Sequence, residues 1–418
     1  MQGYRRALRR KAFRRFWLGM MISRAGDAFT VVALSWVVLD IAGPAQLGLV
    51  LMCFGLPRIV GGPVAGWLLD RSRPRPLLAA DNAARGLLIA AVPVLLWQHR
   101  LAVADLYGIA AASALLSSVT EVAEAALVPR MVDDDGLDAA NSLLSANWEL
   151  ATIAGPAAAG LLVATVGAPF ALLLDAVSFA AMSAICLSLS SPSLSRSGPP
   201  AGADTAPAAV RDRPGPGILL GYPAVLLLSA CGFGMLFLDG VATVLYPVYC
   251  RTFLHAGPAG YGVLMSAAGA GALLGMVAGP GLFGGLPPAA RIGAAIGAGA
   301  PLFGLLRLAP GLAAAALLLG LATFAWSPYF VFERTLAQRL VPDEVRSRVA
   351  GARMTISSLG FPLGSAIGGA LLGGIGAPGV VVAIACSYLA LALLPLLAPA
   401  LRSLAVVAGR VPEHRRGT

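Results

Sequence analysis

Lysine occurs once, at Lys11, and residues of either charge fill only 12% of the 418 positions. A soluble globular chain carries about a quarter charged residues. With 58% of the chain hydrophobic, too few polar groups remain to cover a water-facing exterior. The lone lysine lies outside any G-x-x-x-x-G-K-S/T pattern, so the chain carries no phosphate-binding loop of that type. Five cysteines, Cys53, Cys186, Cys231, Cys250 and Cys386, have neither metal-ligand nor thiol-redox spacing and read as small apolar packing residues. Three histidines, His99, His255 and His414, fall near expected loops or in the tail. No His–Cys–carboxylate cluster suggests a metal, and no nucleophile has a base beside it. The expectation is a non-enzymatic protein without metal or cofactor.

What the chain has instead is a series of apolar stretches of bilayer-spanning length. A helix of about 20 residues crosses a hydrocarbon core of about 30 Å. Twelve spans are expected: 17–40, 46–69, 77–97, 102–125, 141–166, 169–189, 222–249, 260–283, 291–308, 311–332, 349–375 and 379–401. The 50 glycines and 30 prolines lie largely inside or beside these runs, where small residues let helices approach. The net charge of +10 could suggest nucleic acid, but its placement argues for topology. Apart from Arg100, Arg251 and Arg307, and from Arg24, Arg58, Arg85 and Arg353 within spans, the basic residues fall on one side. That is the positive-inside pattern with both termini cytoplasmic, and it makes a nucleic-acid partner unnecessary. The basic leader before Trp17 has no small-residue cleavage site behind it and reads as part of an uncleaved first helix.

The longest interruption, rich in Ser, Pro, Gly and Ala, divides the chain into 1–190, a cytoplasmic linker 191–217, and 218–418 with a cytoplasmic tail. The halves look related. Shifted by 209 positions, Gly155–Pro169 meets Gly364–Pro378 with seven of fifteen residues identical, and Arg130-Met-Val-Asp-Asp134 lies over Arg339-Leu-Val-Pro-Asp343. The expected fold is an all-α membrane protein of two pseudo-symmetric six-helix bundles, an architecture recurrent in secondary transporters.

Between the second and third spans runs GWLLDRSRPRP, with Asp70 ending a helix and Arg71, Arg73 and Arg75 crowding the same end. Such a cluster can latch helix ends in one conformation and release them in another. Gly66 is expected to admit a close helix neighbour. Here the chain resembles the major facilitator superfamily, whose loop signature runs G-x-x-x-D-R-x-G-R followed by Arg or Lys. Gly66, Asp70, Arg71 and Arg75 fall on that pattern, while Arg73 and Pro74 depart from it. The resemblance implies conformational gating for these residues; the competing reading is a basic loop that only sets topology. Gly155, Pro156 and Gly160 resemble the helix-five motif of exporters in that superfamily, with Ala159 where the motif has glycine. Export is the implied direction, against a simple packing kink. The order of SRAGDAF, VPRMVDDDGLDAANSL and LLLDAVSF resembles the macrolide-efflux and enterobactin-exporter branch. The helix-four arginine of proton-coupled drug antiporters has no counterpart in 105–125.

Charges within spans cost about 2.5–3.5 kcal/mol each at a helix centre on insertion scales, so they belong in the bundle interior. Asp27 and Asp239 occupy comparable points of the two halves and are the proton-coupling candidates. The competing reading pairs Asp27 with Arg24, three positions before it. Arg24, Arg58, Glu121 and Glu149 are cavity candidates. Asp81 and Arg85, one turn apart, read as a local ion pair, and Asp175 as structural. Trp36 and Trp326 could line a cavity or simply pack.

Taken together these features lead to an expected secondary transporter of the bacterial inner membrane, acting as a monomer on a small molecule with protons as coupling ion. An importer or lysolipid carrier on the same fold, the membrane subunit of an ATP-driven transporter, and a lipid-acting enzyme are the alternatives.

Overall fold

The structure, a computed structural model, describes residues 2–189, 216–342 and 345–397. These residues are helical, with no strand among them. The helices are α1 (Gln2–Arg9), α2 (Lys11–Ile41), α3 (Pro44–Arg71), α4 (Pro74–Trp97), α5 (Val103–Met131), α6 (Asp134–Val166), α7 (Ala168–Ser188), α8 (Pro223–Thr252) and α9 (Gly257–Phe283). They continue with α10 (Pro288–Ala298), α11 (Ala300–Gly304), α12 (Leu312–Trp326), α13 (Pro328–Leu340), α14 (Arg346–Ser358) and α15 (Gly360–Leu397). Eleven stretches are long and apolar enough to cross a membrane. The last of them, Arg348–Leu397, is 50 residues long and breaks at Gly376, where φ is 65°. Counting both sides of that break gives the twelve expected spans. The expected linker and tail lie outside the described residues.

Glycine followed by proline makes several of the tightest turns. Gly43 (φ 87°), Gly167 (φ 90°), Gly257 (φ 61°) and Gly376 (φ 65°) are left-handed, and each is followed within two residues by Pro44, Pro169, Pro258 or Pro378. A residue with positive φ stops one helix, and proline, with φ preset and no N–H to satisfy, starts the next.

The helices extend past the apolar windows. The first span lengthens backward to Lys11, and α5 and α6 continue to Met131 and from Asp134, since charged residues continue a helix readily outside the hydrocarbon. The leader folds as α1, which packs on α6; Ala7, Phe13 and Phe16 are buried with Leu78, Leu127 and Met182, and Arg10 pairs with Asp133. Two expected spans are interrupted. The ninth breaks at Gly299 between α10 and α11, and the tenth has a break at Ser327 ahead of Pro328.

By contacts the described residues form two units. One holds everything up to Leu189 together with Thr243–Ser266 and Ser365–Gly374, and the other holds the rest. In the first, α4 packs on α7 and α5, α2 on α7 and α6, and α3 on α5. Large apolar side chains are left outside, among them Leu87 at 74% and Val277 at 83% exposure. A bilayer covers such residues; water would not.

Candidate functional site

The first unit's interior charges are paired between helices. Arg85 of α4 donates from Nη2 to Asp27 Oδ1 of α2 at 2.8 Å. Its guanidinium also lies 4.2 Å from the centre of the Phe179 ring. Arg24 of α2 donates to Glu124 Oε2 of α5 at 2.7 Å and lies 4.8 Å from the centre of the Trp148 ring. Arg58 of α3 pairs with Glu121 of α5. Two expectations are corrected here. Asp27 takes Arg85 rather than Arg24, and Asp81 accepts a 2.6 Å hydrogen bond from the Thr120 hydroxyl while Arg85 reaches away to Asp27. A helical spacing of three or four permits a local pair, but the tightly packed neighbouring helices supply partners with better geometry.

Near Asp27 lies Asp175 of α7, fully buried. The Thr30 hydroxyl donates to its Oδ2, and the Ser178 hydroxyl donates to its Oδ1 at 2.9 Å. Gly26 makes this niche possible, because a Cβ there would collide with Asp175 and Ser178.

A cavity of about 440 Å³ opens beside the Arg24–Glu124 pair, lined also by Glu121, Asn141, Ser145 and Trp148. Of the four cavity candidates, Arg24 and Glu121 line it, and Arg58 is tied to it through Glu121. Glu149 lies on α6, and its side chain is outside the described residues. Glu124 and Trp148 complete a wall of two carboxylates, a guanidinium and an indole, chemistry suited to an amphiphilic ligand with a charged group.

The loop signature behaves differently from its expectation. Space is open where a Gly66 Cβ would stand, so Gly66 admits no close neighbour in this structure; α3 is already held against α5 elsewhere, at Gly61. Arg71 lies 4.5 Å from the centre of the Trp67 ring. Arg75 donates to the carbonyls of Cys186 and Leu187 at the end of α7, where a cation complements the helix dipole. Asp70 is exposed, and no ion pair joins it to Arg71 or Arg75 among the described residues.

In the helix-five motif, Gly155 lies against Ala28 of α2, Pro156 sits inside α6, and Gly160 meets the start of α9. A Gly160 Cβ would come 2.8 Å from Gly262 Cα. Its repeat mate Gly369 has the same character, since a Cβ there would stand 3.0 Å from Gly48 Cα. Both contacts fall in the first unit.

In the second unit, Asp239 of α8 is accessible by surface area and within electrostatic reach of Tyr388. Tyr388 stacks on Trp326 at 4.8 Å between ring centres, and Phe303 joins them, so Trp326 is packed. Trp36 is buried as well, at 7% exposure. Glu333 of α13 pairs with Arg353 of α14. Sequence reasoning missed Glu333, although the 209-residue shift sets it over Glu124, and each is paired with an arginine.

Bilayer-length helices whose interior charges pair between neighbouring helices define a multi-pass membrane protein. The chain belongs to the Major Facilitator Superfamily, whose family model matches residues 16–365. It is similar to the multidrug efflux pump Tap of Mycobacterium tuberculosis, 31% identical over 165 residues, which is 38% of this chain and 39% of that protein. An uncharacterized MFS-type transporter, y4rN of Sinorhizobium fredii, is 28% identical over 172 residues, 41% of this chain and 42% of that one. The match thus spans about two fifths of the length of these relatives. In fold the chain is similar to a mutant of the nucleoside transporter NupG, with TM-score 0.75 and 12% identity over 92% of this chain and 99% of that one. A bacterial homologue of the iron transporter ferroportin has TM-score 0.70 and 17% identity, over 94% and 98%.

Proposed function

We propose that this transporter exports an amphiphilic small molecule, antibiotic-like or siderophore-like, by alternating access with proton antiport. The observation that carries this reading is the cavity beside Arg24, Glu121, Glu124 and Trp148, which offers both an aromatic face and charge at one place. The similarity to Tap, named a multidrug efflux pump, supports the direction, as does the Gly155-Pro156 motif. Asp27 and Asp239 are the proton-coupling carboxylates of this scheme. The Asp70–Arg75 segment is its gate, with the Arg75 contact on α7 as one latched arrangement. The chain sits in the bacterial inner membrane with 1–190 and 218–418 as its two bundles, the 191–217 linker and both termini cytoplasmic, and works as a monomer.

The test is uptake of a radiolabelled macrolide and of a fluorescent lipophilic cation by inside-out vesicles, with and without an imposed pH gradient. Gradient-dependent accumulation that survives ATP depletion is expected. Accumulation that requires ATP, or that ignores the gradient for every probe, would overturn proton antiport. Right-side-out vesicles fed the same probes distinguish export from solute uptake on the same fold.

A further inference from the structure

Three carboxylates from three helices stand around one guanidinium in the first unit. Asp27 of α2, Asp81 of α4 and Asp175 of α7 all lie within electrostatic reach of Arg85. The other cation nearby, Arg24, is held by Glu124 of α5. From the remaining packed elements come only hydroxyls, those of Thr30, Thr120 and Ser178. The part of α6 that leads into α7, residues 155–166, carries no ionisable side chain. If all three aspartates were ionised, two negative charges would stand uncompensated inside the bundle. A buried carboxylate without a counter-charge neutralises rather than remain ionised.

The geometry identifies which carboxyl is neutral. Asp27 is the accessible one, its side chain 45% exposed, and it holds Arg85 directly, so it is an anion; Asp81 shares the reach of the same guanidinium and accepts from the Thr120 hydroxyl. Asp175 is fully buried, and its two oxygens meet only hydroxyls. A hydroxyl can donate to a carboxylate or accept from a carboxylic acid, so Thr30 and Ser178 serve either state of Asp175 without rearrangement. Arg85 Nε and Asp81 Oδ1 are buried without a protein hydrogen-bond partner, on residues only 8% and 3% exposed. Arg85 is also already seated over Phe179, one helical turn from Asp175. Among the described residues no three His, Cys, Asp or Glu side chains converge as metal ligands.

We infer that Asp175, in the niche formed by Gly26, Thr30 and Ser178, is a proton-holding site, and that Arg85 exchanges Asp27 for Asp175 when that proton leaves. The proton departs as H⁺ to water reaching Asp27; the guanidinium moves to the new anion, and Asp27 is left free to take a proton in turn. This places the proton store on α7, a helix that carries none of the coupling candidates. The inference rests on the proton-antiport reading for its purpose, while its test reads the proton itself.

The experiment is infrared difference spectroscopy of the purified full-length protein in lipid between acidic and alkaline buffer, in H₂O and D₂O. Wild type is expected to show the carbonyl stretch of a protonated carboxylic acid, shifted by deuterium and lost at alkaline pH. Asp175→Asn should lose that band, Asp81→Asn should keep it, and Asp175→Glu should restore it at an altered frequency. Ser178→Ala, which keeps the carboxyl and tests the niche if Asp175→Asn does not fold, should shift the band. A band unchanged in Asp175→Asn and in Ser178→Ala, or one lost in Asp81→Asn alone, overturns the assignment. A band that behaves as expected alongside vesicle transport indifferent to pH gradients would sink proton antiport and leave the proton site standing.

Discussion

Arg85 and Asp27, 58 positions apart in the chain, form an ion pair with 2.8 Å between Nη2 and Oδ1, although each has an oppositely charged residue within one turn of its own helix. The Arg85 side chain is 10% exposed and that of Asp27 45%, so the charge on α4 depends on the pair more than the charge on α2 does. Arg85 nevertheless keeps Asp81 and Asp175 within reach when Asp27 is removed, whereas removing Arg85 leaves both Asp27 and Asp81 without a cation, so the loss of Arg85 should harm stability more.

This asymmetry is measurable with Asp27→Asn, Arg85→Gln and the double variant, followed by thermal unfolding in detergent. The expected coupling is about 1–3 kcal/mol, with the double variant more stable than Arg85→Gln alone. Strict additivity would show that the pair is incidental.

The glycine contacts predict a contrast. Gly160→Ala and Gly369→Ala each force a methyl against another helix backbone and should cost about 1–3 kcal/mol. Gly66→Ala meets open space and should melt within about 0.5 kcal/mol of the parent. Melting curves of the three variants decide it; a destabilising Gly66→Ala would show that its close neighbour exists in another conformation of the carrier.

Arg75 closes the end of α7, and Arg75→Ala should remove about 1 kcal/mol of stability. Hydrogen exchange should report the loss locally, as faster exchange in residues 185–188. Equal exchange there would mean that water replaces the guanidinium without effect.

Trp148 offers a direct reading of the cavity. A bound amphiphile should quench its fluorescence, and Trp148→Phe should abolish that part of the signal. Arg24→Gln, which frees Glu124, should strengthen binding of a cationic probe and weaken that of an anionic one by about 1 kcal/mol each. No change in either affinity would remove the pocket from consideration.

The spans and several of their turns were legible, because bilayer length and Gly–Pro punctuation are written in consecutive residues. The last two spans are expected to end at 375 and to start at 379, and the left-handed Gly376 falls in that gap. The pairing of charges was not legible. Helical spacing offers Arg24 for Asp27 and Arg85 for Asp81, and both suggestions fail because packed neighbours in a bundle come from distant sequence. Glu333 carried a usable signal, its register with Glu124 in the repeat, whereas Arg353 as its partner carried none. Gly66 misled for a related reason: a motif identifies a residue type, and only the surrounding helices reveal whether the missing methyl matters.

The connections at Gly43, Gly167 and Gly376 hold little more than the turn itself; a single residue, Gly167, separates α6 from α7. A protease needs several extended residues to seat a cleavage site, and an antibody needs a protruding loop. Neither finds one at these turns, so limited digestion of intact cells should leave these hairpins uncut, and epitope tags inserted there should disrupt the helices they join.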